Sequence, residues 1–117
     1  MKGTYIDVTA KDGGKFKAYL AKPEKGSGPG ILLLQEIFGV NAGMRHRADE
    51  LAAAGYAVLV PDLFWRQERN VQLDPASEAD RAKATRLFKG LSESGAVEDC
   101  ILALGALREQ LTKAGTA

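Results

Sequence analysis

Glu36 stands directly after the most apolar run of the sequence, Ile31-Leu32-Leu33-Leu34, with only Gln35 between. A carboxylate at the carboxyl end of a buried strand is where open α/β sheets place their ligands, and there it can hold or move a proton beside a bound molecule. The plainer reading is a strand-end carboxylate in solvent or paired with a nearby arginine. Arg81 lies one to two turns into a helix, where an arginine is usually solvated or pairs with neighbours such as Glu78. Phe64-Trp65-Arg66 follows a parallel-type strand, where two aromatics beside an arginine either line a pocket or cover the sheet edge. Cys100 lies within the apolar stripe of a helix with no histidine placed to activate it, so it reads as a small packed residue rather than a nucleophile. His46, the one histidine, falls on the helix face opposite Met44 and Leu51 and reads as solvated. Ser92 follows a helix rather than a strand, and Gly90-Leu91-Ser92-Glu93-Ser94 lacks the last glycine of a nucleophile elbow. Gly39-Val40-Asn41-Ala42-Gly43 lacks the G-x-G-x-x-G spacing of a dinucleotide loop.

The elements that must position these groups follow from periodicity and punctuation. Thr4–Ala10 and Phe16–Ala21 are two strands around Asp12-Gly13-Gly14, an antiparallel hairpin. Lys22–Pro29 is a loop of Pro, Gly, Ser and charge. Ile31–Glu36 is expected to be a strand buried on both faces. Asn41 caps a helix with Met44, Ala48, Leu51 and Ala52 on its apolar face, and Gly55 ends it. Tyr56–Val60 is a second parallel-type strand, which completes a βαβ unit. Leu63–Leu73 is a long connection of the kind that carries function. Asp74-Pro75 is expected to open a helix with the stripe Ala84, Leu87, Phe88 and Leu91. A last helix over about Ala96–Lys113 carries Val97, Ile101, Leu104, Leu107 and Leu111 on one side. In an α/β order such a helix leads to a further strand, which would begin about Gly115-Thr116-Ala117.

The 117 residues fit one domain, with 45% apolar and 26% charged residues and a net charge of +1. The charges are interspersed, which argues against nucleic acid as a partner. One cysteine excludes an internal disulfide framework and a cysteine-rich zinc site. No run approaches the roughly 20 apolar residues of a membrane span, and the first residues lack the apolar core of a signal peptide, so a cytoplasmic location is expected.

Gln35-Glu36-Ile37-Phe38-Gly39-Val40-Asn41 with Met44-Arg45, then Gly55-Tyr56-Ala57, Pro61-Asp62-Leu63 with Arg66-Gln67, and Leu73-Asp74-Pro75 together resemble the dienelactone hydrolase family of α/β-hydrolases. The likeness covers essentially the whole chain. It implies the first half of an α/β-hydrolase: an antiparallel hairpin leading into a parallel βαβ unit with flanking helices, short of the strand that carries the nucleophile. Members use a Cys-His-Asp triad to open an ester or lactone through an acyl-enzyme, without metal or organic cofactor. The nucleophile sits in a G-x-C-x-G elbow, which this sequence does not contain, and Cys100 precedes the elbow's place.

What the resemblance puts in this chain is the supporting part of the site. Glu36 corresponds to a glutamate that contacts the nucleophile, and Ile37 to a residue whose backbone N–H enters the oxyanion hole. Arg81 corresponds to an arginine that binds the substrate carboxylate, with Phe38, Phe64 and Trp65 also assigned to substrate binding. Phe64 and Trp65 depart from the family's usual tyrosine and small residue, which leaves a broad ester or lactone class. The expected partners are that small molecule and either a second copy of the chain at the strand Ile31–Leu34, left as a bare edge, or a complementary C-terminal half. Alone the chain is expected to be inactive. The competing class is a non-catalytic α/β module for binding or assembly, and a nucleotide binder is disfavoured by the absent phosphate loop.

Overall fold

The computed structural model describes residues 3–113; the position expected to begin a further strand lies outside the described residues. Thr4–Thr9 (β1) and Lys15–Ala21 (β2) pair antiparallel, with Thr4 opposite Leu20 and Thr9 opposite Lys15. Their turn closes through the Ala10 N–H donating to the Gly14 carbonyl, with Gly13 at φ +92°. That conformation is open to glycine and strained for other residues.

Gly30–Leu32 (β3), Ala42–Ala53 (α1) and Ala57–Pro61 (β4) form the parallel βαβ unit, with Ile31 opposite Val58. The Asn41 side chain accepts from the Met44 N–H and starts α1. Gly55, at φ +110°, turns the chain out of it. Glu78–Lys89 (α2) and Glu93–Lys113 (α3) complete the described chain. The sheet order is β1-β2-β4-β3, with β2 antiparallel to β4. This is the mixed α/β architecture that the sequence implies.

Strand alternation sorts the core into two faces. Phe16, Ala18 and Leu20 of β2 and Leu59 of β4 point to one side, where Ala103 and Leu107 of α3 cover them. Tyr19, Ala21, Val58 and Val60 point to the other, under Met44, Ala48 and Ala52 of α1. β4 is buried at every position, because it has a strand on each side and α1 and α3 cover its two faces.

Three expectations are corrected. The strand over Ile31–Glu36 is only Gly30–Leu32, and Leu34 is 50% exposed, because β3 lies at the end of the sheet with one neighbour. The helix expected from Asp74 starts after Ser77, whose Oγ accepts from the Asp80 N–H; Asp74 instead closes a preceding turn by accepting from the Ala76 and Ser77 N–H groups. The last helix is longer and differently rotated: it begins at Glu93, and the side chains it buries are Asp99, Ala103 and Leu107. Val97, Ile101 and Leu104 face outward, as does Phe88 of α2.

Candidate active site

The chain leaves β3 through Gln35 into a tight turn over Glu36–Gly39. The Glu36 carbonyl accepts from the Gly39 N–H at 3.2 Å and from Gln35 Nε2 at 3.1 Å. Gly39 sits at φ +79°, and a Cβ there would collide with the Val71 carbonyl, so this turn requires glycine. The Ile37 N–H takes no part in these turn bonds.

Side chains fix the turn from both sides. Gln35 Oε1 accepts from the Leu63 N–H at 2.9 Å, which ties the carboxyl end of β3 to that of β4. The Phe38 carbonyl accepts from the Leu73 N–H at 3.0 Å, and Asn41 Nδ2 donates to the Leu73 carbonyl at 2.9 Å. Arg45 Nη1 joins the Val40 carbonyl to Gln72 Oε1. The segment after β3 is thus stitched to the far end of the connection after β4.

That connection has its own clamp. Asp62 is 7% exposed; its Oδ1 accepts from the Phe64 N–H at 3.2 Å and its Oδ2 from the Asn70 N–H at 3.0 Å. Asn70 is the one described non-glycine residue at positive φ, +58°, a conformation asparagine tolerates. Burial raises the Asp62 carboxyl above its ordinary range, and the two N–H donors pull it partly back.

The structure divides the residues singled out from sequence. Ile37 and Phe38 pack on a cluster of Phe64, Val71, Leu73, Ala84 and Leu87, so α2 supports the turn. Glu36 is exposed at the turn's start. Arg81 is exposed on α2, one turn before Ala84, and donates from Nη1 to the Pro75 carbonyl at 3.0 Å. Ala84, one turn on, is buried in that cluster, whereas Arg81 itself stays on the exposed surface of α2.

Phe64 is 1% exposed and forms that cluster's centre. Trp65 lies in the other core, stacked on Phe16 at 5.4 Å between centroids, so the structure separates it from Glu36, Ile37 and Phe38. A 370 Å³ cavity at the α2–α3 corner is lined by Leu63, Phe64, Gln67 and Leu91 among others, without Glu36 or Arg81. His46 is exposed and lies 3.7 Å from Glu50. Cys100 is half-buried, and burial, with the charge of Asp99 second, raises its thiol. Among the described residues, no group of three or more His, Cys, Asp or Glu side chains is placed to hold a metal ion, and no helix is long and apolar enough to cross a membrane.

Two supports escaped the sequence reading. Gln35 looks like a polar strand end, and nothing local shows that its amide spans two strands. Asp99 had a visible signal: with Ala103 and Leu107 it makes an i, i+4, i+8 row, which marks a buried face. Its Oδ2 accepts from Trp65 Nε1 at 2.9 Å and from Arg66 Nη1 at 2.6 Å. The Arg66 guanidinium also lies 4.2 Å from the Trp65 ring centroid, and the Asp99 contact raises it further above its ordinary pKa.

Comparison with known proteins bears on this arrangement. Residues 16–115 match the model of the dienelactone hydrolase family. Carboxymethylenebutenolidase 1 of Cupriavidus pinatubonensis is 36% identical over 99 residues, which is 85% of this chain and 42% of the relative. A carboxymethylenebutenolidase of a Pseudomonas species is 39% identical over 94 residues, 80% of this chain and 40% of the relative. Among solved structures, a dienelactone hydrolase-like promiscuous phosphotriesterase from metagenomic libraries superposes with a TM-score of 0.61 and 25% identity, over 94% of this chain and 44% of that one. The chain therefore spans less than half the length of the proteins it matches.

Proposed function

The chain belongs to the dienelactone hydrolase family, and on that premise we propose that it supplies the supporting part of an acyl-transfer site for ester or lactone hydrolysis. The observation that carries this is the braced Glu36–Gly39 turn at the carboxyl end of β3, bonded to the start of the connection after β4 through Gln35 and to its end through Leu73.

Acyl transfer needs donors fixed where the carbonyl oxygen gains charge as the nucleophile adds. The Ile37 N–H supplies one such donor. The bonds at Gln35, Phe38 and Asn41 hold it without using it. Glu36 contacts the nucleophile and governs its protonation. Arg81 binds a substrate carboxylate through the guanidinium edge that Pro75 leaves free. Phe38 gives that substrate an apolar wall, with the buried Phe64 behind it. Trp65, assigned to substrate contact from sequence, acts by its burial as a positioning residue behind Phe64.

The nucleophile, its base and the base's carboxylate are not among these residues, so the whole reaction needs a complementary portion of the fold. The partner surface is the open β3 edge over Ile31–Leu34, which takes either that portion or a second copy of this chain. The site uses no cofactor, and the protein works in the cytoplasm.

The test is complementation. The chain alone should not hydrolyse an activated aryl ester. Mixed with a separately produced C-terminal portion of a family member, it should do so, and Glu36→Ala should abolish the gain. Turnover by the chain alone that disappears in Cys100→Ala would overturn the reading. A purely assembling, non-catalytic module is the second reading, favoured by the outward apolar face of α3. It would be upheld by a folded complex without any esterase activity.

A further inference from the structure

The sheet face under α1 extends past the start of that helix. Strand alternation puts Tyr5 and Asp7 of β1 on this face with Lys15, Lys17 and Tyr19 of β2, in register as Tyr5 with Tyr19 and Asp7 with Lys17. Val60 of β4 lies beside Tyr19. Over this floor stands a cavity of 420 Å³, bordered by Val40 and by Arg69, Asn70 and Val71 of the connection after β4. Its volume falls within the range of small-molecule sites. No residue of β3, α2 or α3 lines it, nor does Glu36, Ile37, Phe38 or Arg81.

The floor is aromatic and apolar. The Tyr19 hydroxyl is engaged outside the cavity lining: it donates to Asp49 Oδ1 at 2.8 Å and accepts from the Gly3 N–H at 2.8 Å. Tyr5 meets the Tyr19 ring edge-on at 5.4 Å between centroids and is 46% exposed. Val40, Val60 and Val71 add aliphatic surface around the two rings.

The polar lining is biased to positive charge. Lys17 Nζ lies 2.7 Å from Asp7 Oδ1, and both side chains are exposed, so the pair opens at little cost. Arg69 Nη1 donates to the Lys15 carbonyl, and its guanidinium carbon lies 5.2 Å from the Trp65 ring centroid, two contacts that hold it in place. Its other N–H groups have no acceptor among the described residues. The Asp7 carboxyl is held below its ordinary range, first by Lys17 and also by Lys15 and Arg69. Asp62 is the one acidic group in the lining, and the Phe64 and Asn70 N–H groups occupy its two oxygens. Lys15, Lys17 and Arg69 thus face Asp7 and Asp62, an excess of one positive charge.

We propose that this cavity binds a small monocarboxylate with an aromatic body, the ring against Tyr5 and Tyr19 and the carboxylate on Arg69 and Lys17. A guanidinium with unused N–H groups matches a carboxylate, and an aromatic floor favours an edge-on or offset ring. A single negative charge balances the local excess, whereas a cation would be repelled and a neutral molecule would leave Arg69 unpaired. The inference does not rest on acyl transfer.

Titration of the full chain with phenylacetate, followed by amide NMR, tests this. Saturable shifts are expected at Tyr5, Lys17, Val60 and Val71, with a Kd of about 1 mM or below. Acetate, which has the charge without the ring, and phenylethanol, which has the ring without the charge, should each bind at least about tenfold more weakly. Lys17→Gln and Tyr5→Ala, both at exposed positions, should keep the circular dichroism and Trp65 emission of the parent and weaken phenylacetate about fivefold. Lys25→Gln, in the loop before β3, should change nothing. The inference is overturned if no shift saturates below about 10 mM, if the shifts fall on Ile37, Phe38 and α2 instead, or if phenylethanol binds as tightly as phenylacetate. It is equally overturned if Lys17→Gln and Arg69→Gln, both folded, bind phenylacetate as the parent does.

Discussion

Asp99→Ala is the perturbation whose outcome the structure fixes most fully. Asp99 is 1% exposed in α3, and one of its oxygens takes both the Trp65 indole N–H and an Arg66 N–H. Truncation leaves the buried indole N–H without an acceptor, which costs about 1–3 kcal/mol, and removes a charge-assisted bond of similar size. Two features reduce the loss. The Arg66 side chain is 41% exposed and can turn to water, so no buried cation is stranded. Asp99 Oδ1 is buried with no hydrogen-bond partner, so its own desolvation cost disappears with it. The net destabilisation should be about 3 kcal/mol, at the lower limit for breaking a buried ion pair. With a urea m-value of about 2 kcal/mol/M for a domain this size, the midpoint falls by about 1.5 M. Trp65 is the only tryptophan, so its emission follows unfolding directly and should shift to longer wavelength in the folded variant. Asp99→Asn keeps one acceptor oxygen and should lose about half as much. A change below about 0.5 kcal/mol for Asp99→Ala, within the range of neutral surface substitutions, would refute the claim that this carboxylate anchors α3 to the connection after β4.

Gly39→Ala places a side chain against the Val71 carbonyl at positive φ, and should cost at least about 2 kcal/mol in urea unfolding. Gln35→Ala strands the Leu63 N–H and should cost about 1–2 kcal/mol; in the complemented enzyme it should lower kcat more than it raises KM, since it loosens the oxyanion turn rather than substrate binding. The Asp62 carboxyl is raised in the fold by burial, so the folded chain binds its proton more tightly than the unfolded chain does. Its contribution to stability is therefore complete below the ordinary carboxylate pKa and declines as pH rises through the raised value; a carbon-13 titration should show Asp62 inflecting above the ordinary aspartate value. Asp12 is shifted the other way, chiefly by the Gly14 N–H, and its contribution is lost as pH falls through its lowered value. Burial raises the Cys100 thiol, so alkylation near neutral pH should be slower than for a free thiol, as stopped assays can measure.

Much of the fold was legible because local chemistry and burial agree. Asp12-Gly13-Gly14 demanded a turn, Asn41 and Gly55 bounded a helix, and Tyr56–Val60 had no polar face to expose. The misreadings arise where one pattern allows two outcomes. Asp74-Pro75 and Ser77 are both competent helix starts, and the choice fell to Ser77 because Asp74 is used within its own turn. The stripe through Val97, Ile101 and Leu104 is as regular as the row through Asp99, Ala103 and Leu107. Periodicity cannot say which of two rows meets the sheet when the acid in one row finds an indole and a guanidinium as partners.

The candidate site divides along the same line. Sequence alone determined that Glu36 and Ile37 follow a short apolar strand, because an apolar run closed by Gln35-Glu36 reads as a strand end, and that Gly39 permits the turn. Only the tertiary structure decided what braces that turn: Gln35 reaching Leu63, Phe38 and Asn41 reaching Leu73, and Asp62 gripping Asn70. The contacts to Leu63 and Leu73 join residues about 30 positions apart and depend on which strands lie side by side. It also decided that β3 pairs with β4 alone among the described strands, because edge or centre is a property of sheet order, which one strand's own residues do not carry.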